Sequence, residues 1–459
     1  MVSDDRRGAL AREVRALALP AIAHSLLQTL VFVVDRAMLG HHSETSLAAM
    51  QIAGPLEWSI WSVFSAFTVG TMARVGRHVG AGDRRTARLA VFASFGFAAA
   101  FGVALACGTP LLLASLRPLF PDASAAAHAA ARDYLTLTIG ASPAVFVGAT
   151  AIAALQASGD TRTPLFIGLY INVQHVAMNR VLILGAFGIP ALGPKGAGIS
   201  TAITFTCEAI LACLALASRT RSVSLRARPE DEAISRRALA REAREVANVA
   251  TPALAERVLY HLGYLGFSWV IGRLGDVAMA ANQALISIES ICFLSADGFG
   301  IAAAALVAQK LGAGDAEAAA RAARLSARYA AVLLTTLGLV FLATRSVTLP
   351  LFSDDAHVLA LGAATMPVLA IAQPFMAIAT VLAQAFRGAG KTRVAFGVSA
   401  TCAFVVRLVV TYVAALPFGL GLVGVWLGST ADWVARTVLL VFIGRAWTRT
   451  HLERGAPAG

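Results

Sequence analysis

Long apolar runs, broken only by short charged clusters, constrain this chain more than anything else in its sequence. A helix needs about 20 apolar residues to cross a bilayer, and the sequence offers such runs repeatedly. Of its 459 residues 58% are hydrophobic and 14% charged. That is too little charge to cover the surface of a soluble domain of this length. The runs place about twelve spans, near 16–40, 52–79, 86–114, 127–153, 163–187, 196–218, 246–272, 284–311, 318–344, 357–385, 393–416 and 421–446. The expected fold class is therefore an all-α integral membrane protein with about a dozen transmembrane helices.

The formal net charge of +12 does not argue for nucleic acid, which needs a basic face on a soluble domain. Here the Arg residues sit between apolar runs, where they set orientation. Arg6, Arg7, Arg74, Arg77, Arg84, Arg85, Lys310, Arg321, Arg387, Lys391 and Arg449 fall on one side, with the many Arg of 219–244. The opposite loops hold Arg117, Lys195, Arg273 and Arg345. The positive-inside rule then puts both termini in the cytoplasm. The charged N-terminus runs straight into an apolar helix with no small-residue cleavage site, which reads as a first span and not a signal peptide. The five cysteines lie in apolar stretches without metal-ligand spacing and read as small hydrophobes.

The chain also repeats itself. Pro20, Gly40, Ala48, Ala49, Gln51 and Glu57 recur as Pro252, Gly272, Ala280, Ala281, Gln283 and Glu289, all at one offset. Gly80-Ala81-Gly82-Asp83 recurs as Gly312-Ala313-Gly314-Asp315 at the same offset, and Gly159-Asp160-Thr161-Arg162 as Gly390-Lys391-Thr392-Arg393, shifted by one residue. Register held over such a length marks an internal duplication. Each half has an even number of spans, so the halves are parallel repeats that leave a cleft between lobes. The expected organisation is an N-terminal six-helix bundle over 1–218, a cytoplasmic linker with an interfacial helix over 219–245, and a C-terminal six-helix bundle over 246–459.

Ionisable groups at membrane depth are costly and are functional candidates by default. Asp35 lies deep in the first span, beyond the kink expected at Pro20. Its alternative is an ion pair with Arg36, but neighbours on a helix point about 100° apart. His175 and Asn179 share one face of the fifth span. These three are the expected ion-coupling residues, with Pro20 and Pro252 as structural hinges. Glu256, Gln283, Glu289 and Asp297 are the expected substrate-cavity residues of the second half. Arg407 and Arg436 are expected to neutralise carboxylates, Asp432 lying one turn before Arg436. His41-His42-Ser43-Glu44 is a polar outer loop and no metal site is expected. The GAGD turns lack the Lys-Ser/Thr of a phosphate loop, and no catalytic motif is present.

The segments LPAIAHSLLQTLVFVVDRAMLG, VGAGDRRTA, QASGDTRTPLFIG, GIPALGPKGAGIST, AANQALISIESICFLSADGFG, VAQKLGAGD and AFRGAGKTR, in this order and spacing, resemble the multidrug and toxic compound extrusion (MATE) family over nearly the whole chain. The resemblance implies two six-helix bundles forming a V-shaped cavity, with drug export driven by inward flow of H⁺ or Na⁺. The family's first-helix acid falls on Asp35 and its fifth-helix polar pair on His175 and Asn179. His175 departs from the usual Asn. The acid that some members carry in the tenth span is absent, Met376 standing thereabouts, which puts their C-lobe Na⁺ site in doubt and favours H⁺. The expected function is a multidrug efflux antiporter of a bacterial inner membrane, without cofactor or nucleic acid. It would act as a monomer in the lipid bilayer on organic cations and amphipathic drugs. The alternatives are a lipid-linked oligosaccharide flippase of related architecture, or an intramembrane enzyme.

Overall fold

In the computed structural model of the chain, residues 2–121, 123–218, 222–226 and 235–455 are described, and no strand occurs among them. Helices α1 (Val2–His42), α2 (Glu44–Gly80) and α3 (Arg84–Leu119) are followed by α4 (Ala125–Gly140) and α5 (Ser142–Ala157), then by α6 (Arg162–Leu182) and α7 (Pro194–Leu216). The second half repeats the series. Helices α8 (Arg236–Gly272), α9 (Asp276–Gly312) and α10 (Ala316–Ala343) precede the short α11 (Arg345–Thr348) and the long α12 (Ala356–Gly388). A penultimate rod joins α13 (Thr392–Thr401) to α14 (Leu408–Ala415) through a π-helical stretch, Cys402–Arg407, and α15 (Gly421–Gly455) ends the chain.

Among the described residues eight helices are long and apolar enough to cross a membrane, nine with α4 and α5 taken as one bent span. The other expected spans, α2, α6 and α8, are helical too but carry more polar residues. Their outward faces remain apolar: Phe166, Leu169 and Val173 of α6 are exposed. Such a row of exposed apolar side chains suits acyl chains and not water.

Two spans are irregular where regular ones were expected. The run 127–153 breaks at Ala141 with a bend of 52°. Pro143 explains it, because its ring removes a helical amide and crowds the carbonyl of Ile139. The Ser142 hydroxyl donates to that carbonyl at 2.6 Å. Helix α3 passes the bend at Gly102, where a Cβ would stand 2.5 Å from Pro143 Cα. The run 393–416 contains the π-helical stretch, a wider turn that often marks a functional position. The repeated GAGD runs are turns: Gly82 and Gly314 take φ of 74° and 80°. Asp83 and Asp315 then accept from the amides of Thr86 and Ala318 at 2.9 and 2.7 Å and so cap α3 and α10.

The chain forms two compact units, Met1–Ile22 with Pro252–Gly459, and Ala23–Thr251. The division falls beside Pro20 in α1 and at Pro252 in α8, not in the polar segment 219–245. Within the first unit Val14 packs with Leu306 and Ala322, and Ile22 crosses Gly298. Within the second, Leu39 packs with Ala49, Met50 and Tyr134. Of the expected linker, residues 219–221 and 227–234 lie outside the described residues. Residues 236–245 do not form a separate interfacial helix but the first turns of α8, since nothing in RRALAREARE interrupts a helix. At 37 residues α8 is about 55 Å long, far more than the bilayer core.

Those first turns, ahead of the apolar part of α8, carry an ion-pair network to α2. Arg74 donates to Glu242 from Nε at 2.7 Å and from a terminal nitrogen at 2.8 Å, and His78 Nε2 stands 3.4 Å away. Burial would raise the Glu242 carboxyl, but His78 and the Arg74 guanidinium outweigh it and hold it down at about 2.

Two expectations follow from this packing. Gly102→Val drives a side chain into Pro143 and is expected to cost about 1–3 kcal/mol, read as a lower Tm in detergent. A carboxyl held below its ordinary value stabilises the fold above that ordinary value, and the contribution fades as pH falls toward 2. Glu242→Gln is thus expected to lose on the order of 3 kcal/mol at pH 7 and almost nothing near pH 2, in thermal unfolding followed across pH.

Candidate functional site

Three helices of the unit Ala23–Thr251 each carry one polar stripe. On α6 the stripe is Asn172, His175 and Asn179, spaced by three and four residues, all buried. On α7 it is Ser200, Thr201, Thr204 and Glu208, also buried. On α1 it is His24, Gln28 and Asp35, about three turns long. A span surrounded by lipid must turn such groups inward to one another.

The stripes meet at Asp35. Asp35, His175 and Asn179 are each 0% exposed. Asp35 Oδ1 lies 2.7 Å from His175 Nε2, and Asn179 Nδ2 donates to the same oxygen at 2.7 Å. Thr201 Oγ1 donates to Oδ2 at 3.0 Å. The far side of the imidazole is engaged as well, with Nδ1 lying 3.1 Å from Thr204 Oγ1 and 3.2 Å from Ser200 Oγ. Asn179 Oδ1 is buried without a hydrogen-bond partner. Arg36 points elsewhere: its guanidinium lies against Gly54 of α2, where a Cβ would meet it at 2.8 Å.

Asp35, His175 and Asn179 are thus one site. Ser200, Thr201 and Thr204 carry no signal in the sequence, because a hydroxyl in an apolar helix can bond its own backbone. His24 and Glu208 carry a legible signal, an ionisable group within a predicted span.

Beside the site a hollow of about 40 Å³ is walled by Phe32, Trp61, Phe146, Phe205, Glu57 and Thr201, among others. Tyr134 donates to Glu57 Oε2 at 2.9 Å. The four rings make an aromatic wall next to the carboxylate cluster.

In the other unit the expected cavity residues part company. Glu256 and Asp297 line one hollow of about 90 Å³ together with Arg257, Gln384, Arg387 and Arg436. Arg387 donates to Glu256 at 2.6 Å and Gln384 to Asp297 at 3.0 Å. Glu289 and Gln283 are not among that hollow's walls. Glu289 Oε1 is buried without a hydrogen-bond partner, and Gln283 is exposed. Asp432 lies between Arg436 at 2.7 Å and Arg407 at 3.9 Å, the neutralisation expected from spacing. Met376 is buried in an apolar cluster with Ala377 and Val381. At the turn between α1 and α2, His42 Nδ1 lies 2.9 Å from Ser46 Oγ, and the side chains of His41 and Glu44 lie outside the described residues.

Comparison with known proteins decides the family. The MatE family profile matches residues 20–181 and again 252–413, two segments that begin at the repeat mates Pro20 and Pro252. The chain belongs to the MatE family. It is similar to the probable multidrug resistance protein NorM of Thermotoga maritima, 26% identical over 95% of this chain and 93% of that protein. A NorM of Bradyrhizobium diazoefficiens is 27% identical, with 95% and 93% covered. Among solved structures, an outward-facing MATE family transporter of the MOP superfamily aligns with a TM-score of 0.87 at 17% identity over 97% of each chain. The Vibrio cholerae MATE transporter VcmN in its bent form aligns equally well, at 18% identity over 97% of this chain and 98% of that one. The fold class is therefore the all-α, two-repeat membrane architecture, and the family is one of multi-pass multidrug efflux transporters, not enzymes.

The Glu256–Arg387 pair makes a prediction of its own. Its side chains are only 12% and 14% exposed, and breaking one partner of a buried pair costs about 3–5 kcal/mol. Glu256→Gln is expected to lower the Tm by far more than Asp297→Asn, which exchanges a carboxylate accepting from an amide for another amide.

Proposed function

We propose that this MATE transporter is an antiporter that exports cationic and amphipathic small molecules in exchange for H⁺, from a bacterial inner membrane with both termini in the cytoplasm. The observation that carries this reading is the wholly buried Asp35 carboxylate, bonded to a titratable imidazole. An ionised Asp35 accepts three bonds, from His175, Asn179 and Thr201. A protonated one must donate: its hydroxyl hydrogen goes to His175 Nε2, the imidazole then carries its own hydrogen on Nδ1 and not on Nε2, and the bond from Asn179 weakens. The two protonation states therefore favour two arrangements of α1, α6 and α7, which is what coupling to a conformational change requires.

The donor set supports H⁺ over Na⁺. A hard cation wants a shell of oxygens, while Asp35 is met by a ring nitrogen and an amide NH₂. Flat organic cations are attracted both to carboxylates and to aromatic faces such as Trp61 and Phe205, which wall the neighbouring hollow. The relatives' names as multidrug resistance proteins agree with that substrate class.

The test is efflux of ethidium or norfloxacin from proteoliposomes under an imposed ΔpH or an imposed Na⁺ gradient. The wild type is expected to respond to ΔpH alone. Asp35→Asn, nearly isosteric but unable to carry the proton, is expected to lose ΔpH-driven efflux by roughly a hundredfold while remaining monodisperse. Undiminished ΔpH-driven efflux in that variant would overturn the reading.

A further inference from the structure

Two helical turns from Asp35, on the same stripe of α1, lies a second buried ionisable cluster that the antiport cycle above does not use. Glu208 is 3% exposed and His24 is 6% exposed. Gln28 Nε2 donates to Glu208 Oε1 at 2.5 Å, and His24 Nε2 stands 3.8 Å from the same oxygen. Gln28 Nε2 also lies 3.4 Å from His24 Nε2. A carboxyl and an imidazole at membrane depth are too costly to be retained as mere filling, when a Leu or Phe would pack there at no such penalty.

Among the described residues, the hydrogen bonds and ion pairs of the His24 and Glu208 side chains run only within this cluster. Helix α6 approaches His24 with Gly168, where a Cβ would lie 3.2 Å from the ring, and its Asn172 donates to the Leu27 carbonyl. The other ionisable groups of α6, Arg162, Tyr170 and Arg180, are on its exposed face, and His175 belongs to the Asp35 site. Helix α5, packed on α7 at Gly148 and Ala209, has no ionisable residue. On α7 itself Lys195 is exposed, and Cys207 lies against Gln174. On α4, Tyr134 is committed to Glu57.

We infer that Glu208, held by Gln28 and His24, is a second proton-binding site, and that His175 and Thr204 pass the coupling proton between it and Asp35. The path is a chain of contacts already formed at one end: Asp35 Oδ1 to His175 Nε2 at 2.7 Å, then His175 Nδ1 to Thr204 Oγ1 at 3.1 Å. Thr204 and Glu208 are four residues apart on α7, about 6 Å along the axis, a gap of the length that one bridging water would span. As the Asp35 acid gives its proton to Nε2, the proton on Nδ1 passes to Thr204 Oγ1. The hydroxyl's own proton then moves through the water to the Glu208 carboxylate. Asp35 ends ionised, Glu208 ends as the acid, and His175 ends neutral with its hydrogen on the other nitrogen. An asparagine at 175 could bond Asp35 but could not exchange one proton for another across its two faces. The imidazole at this position is what makes a relay. Because Glu208 lies toward the end of α1 that begins the chain, the relay delivers the proton toward the cytoplasm in the proposed orientation.

This inference rests on the H⁺-antiport reading, and the experiment separates the two. Initial rates of ΔpH-driven ethidium efflux are compared in proteoliposomes for Asp35→Asn, Glu208→Gln, Thr204→Val, Glu208→Asp and Thr204→Ser, each checked for a monodisperse elution peak. The expected result is roughly tenfold or greater slowing in Glu208→Gln and in Thr204→Val, with most of the rate restored by Glu208→Asp and Thr204→Ser. If Asp35→Asn is inactive while monodisperse Thr204→Val pumps at the wild-type rate, the relay is overturned and the antiport reading stands. Wild-type efflux in Asp35→Asn overturns both. Should Glu208→Gln fail to fold, Thr204→Val, which removes one hydroxyl and keeps the side-chain shape, decides the matter alone.

Discussion

A carboxylate with no access to water has to be answered by donors supplied by its own protein, and Asp35 draws three of them from two other helices. That requirement organises the unit Ala23–Thr251. Helix α6 gives up apolarity to carry Asn172, His175 and Asn179, and it is one of the expected spans that falls short of ordinary membrane-crossing character. Helix α7 keeps its polar groups to hydroxyls and one acid on a single face. Their polar stripes would be poorly placed against lipid; together they satisfy one another.

The same group makes the arrangement changeable. Adding one proton converts an acceptor of three bonds into a donor, and the imidazole beside it can follow by exchanging tautomers. A site of this kind holds two hydrogen-bonded states of similar packing, unlike an Arg–carboxylate pair, which stays ionised. The other unit has the latter kind: Glu256 with Arg387, and Asp432 between Arg407 and Arg436. In the proposed antiport, proton handling falls to the repeat that carries Asp35, while its mate holds these Arg-paired carboxylates. Duplication supplied the same helices twice, and the polar residues placed on them diverged.

Pro20 and Pro252 sit where the chain passes between compact units, although both helices continue through them. A proline in a long helix removes one backbone bond and weakens that turn. It therefore suits a helix whose two ends answer to different neighbours. Asp35 lies on the part of α1 beyond that turn, packed with α6 and α7.

Much of this was legible in the residues themselves. Apolar run lengths determined that the chain crosses a membrane with helices, because lipid offers no partner for a bare backbone. The constant offset from Pro20–Pro252 to Asp83–Asp315 determined the duplication, and a lone acid in SLLQTLVFVVDRAMLG marked Asp35. Tertiary structure alone decided what Asp35 touches. Thr201 reaches it from 166 residues away in sequence and Thr204 reaches its imidazole partner, and spacing along one helix carries no information about which face of another it will meet. It also decided that Glu256 is bound to Arg387, that Gln283 is exposed, and that the run 127–153 bends at Ala141. Periodicity reports the face a helix hides; only packing three helices together reports what that face is hidden against.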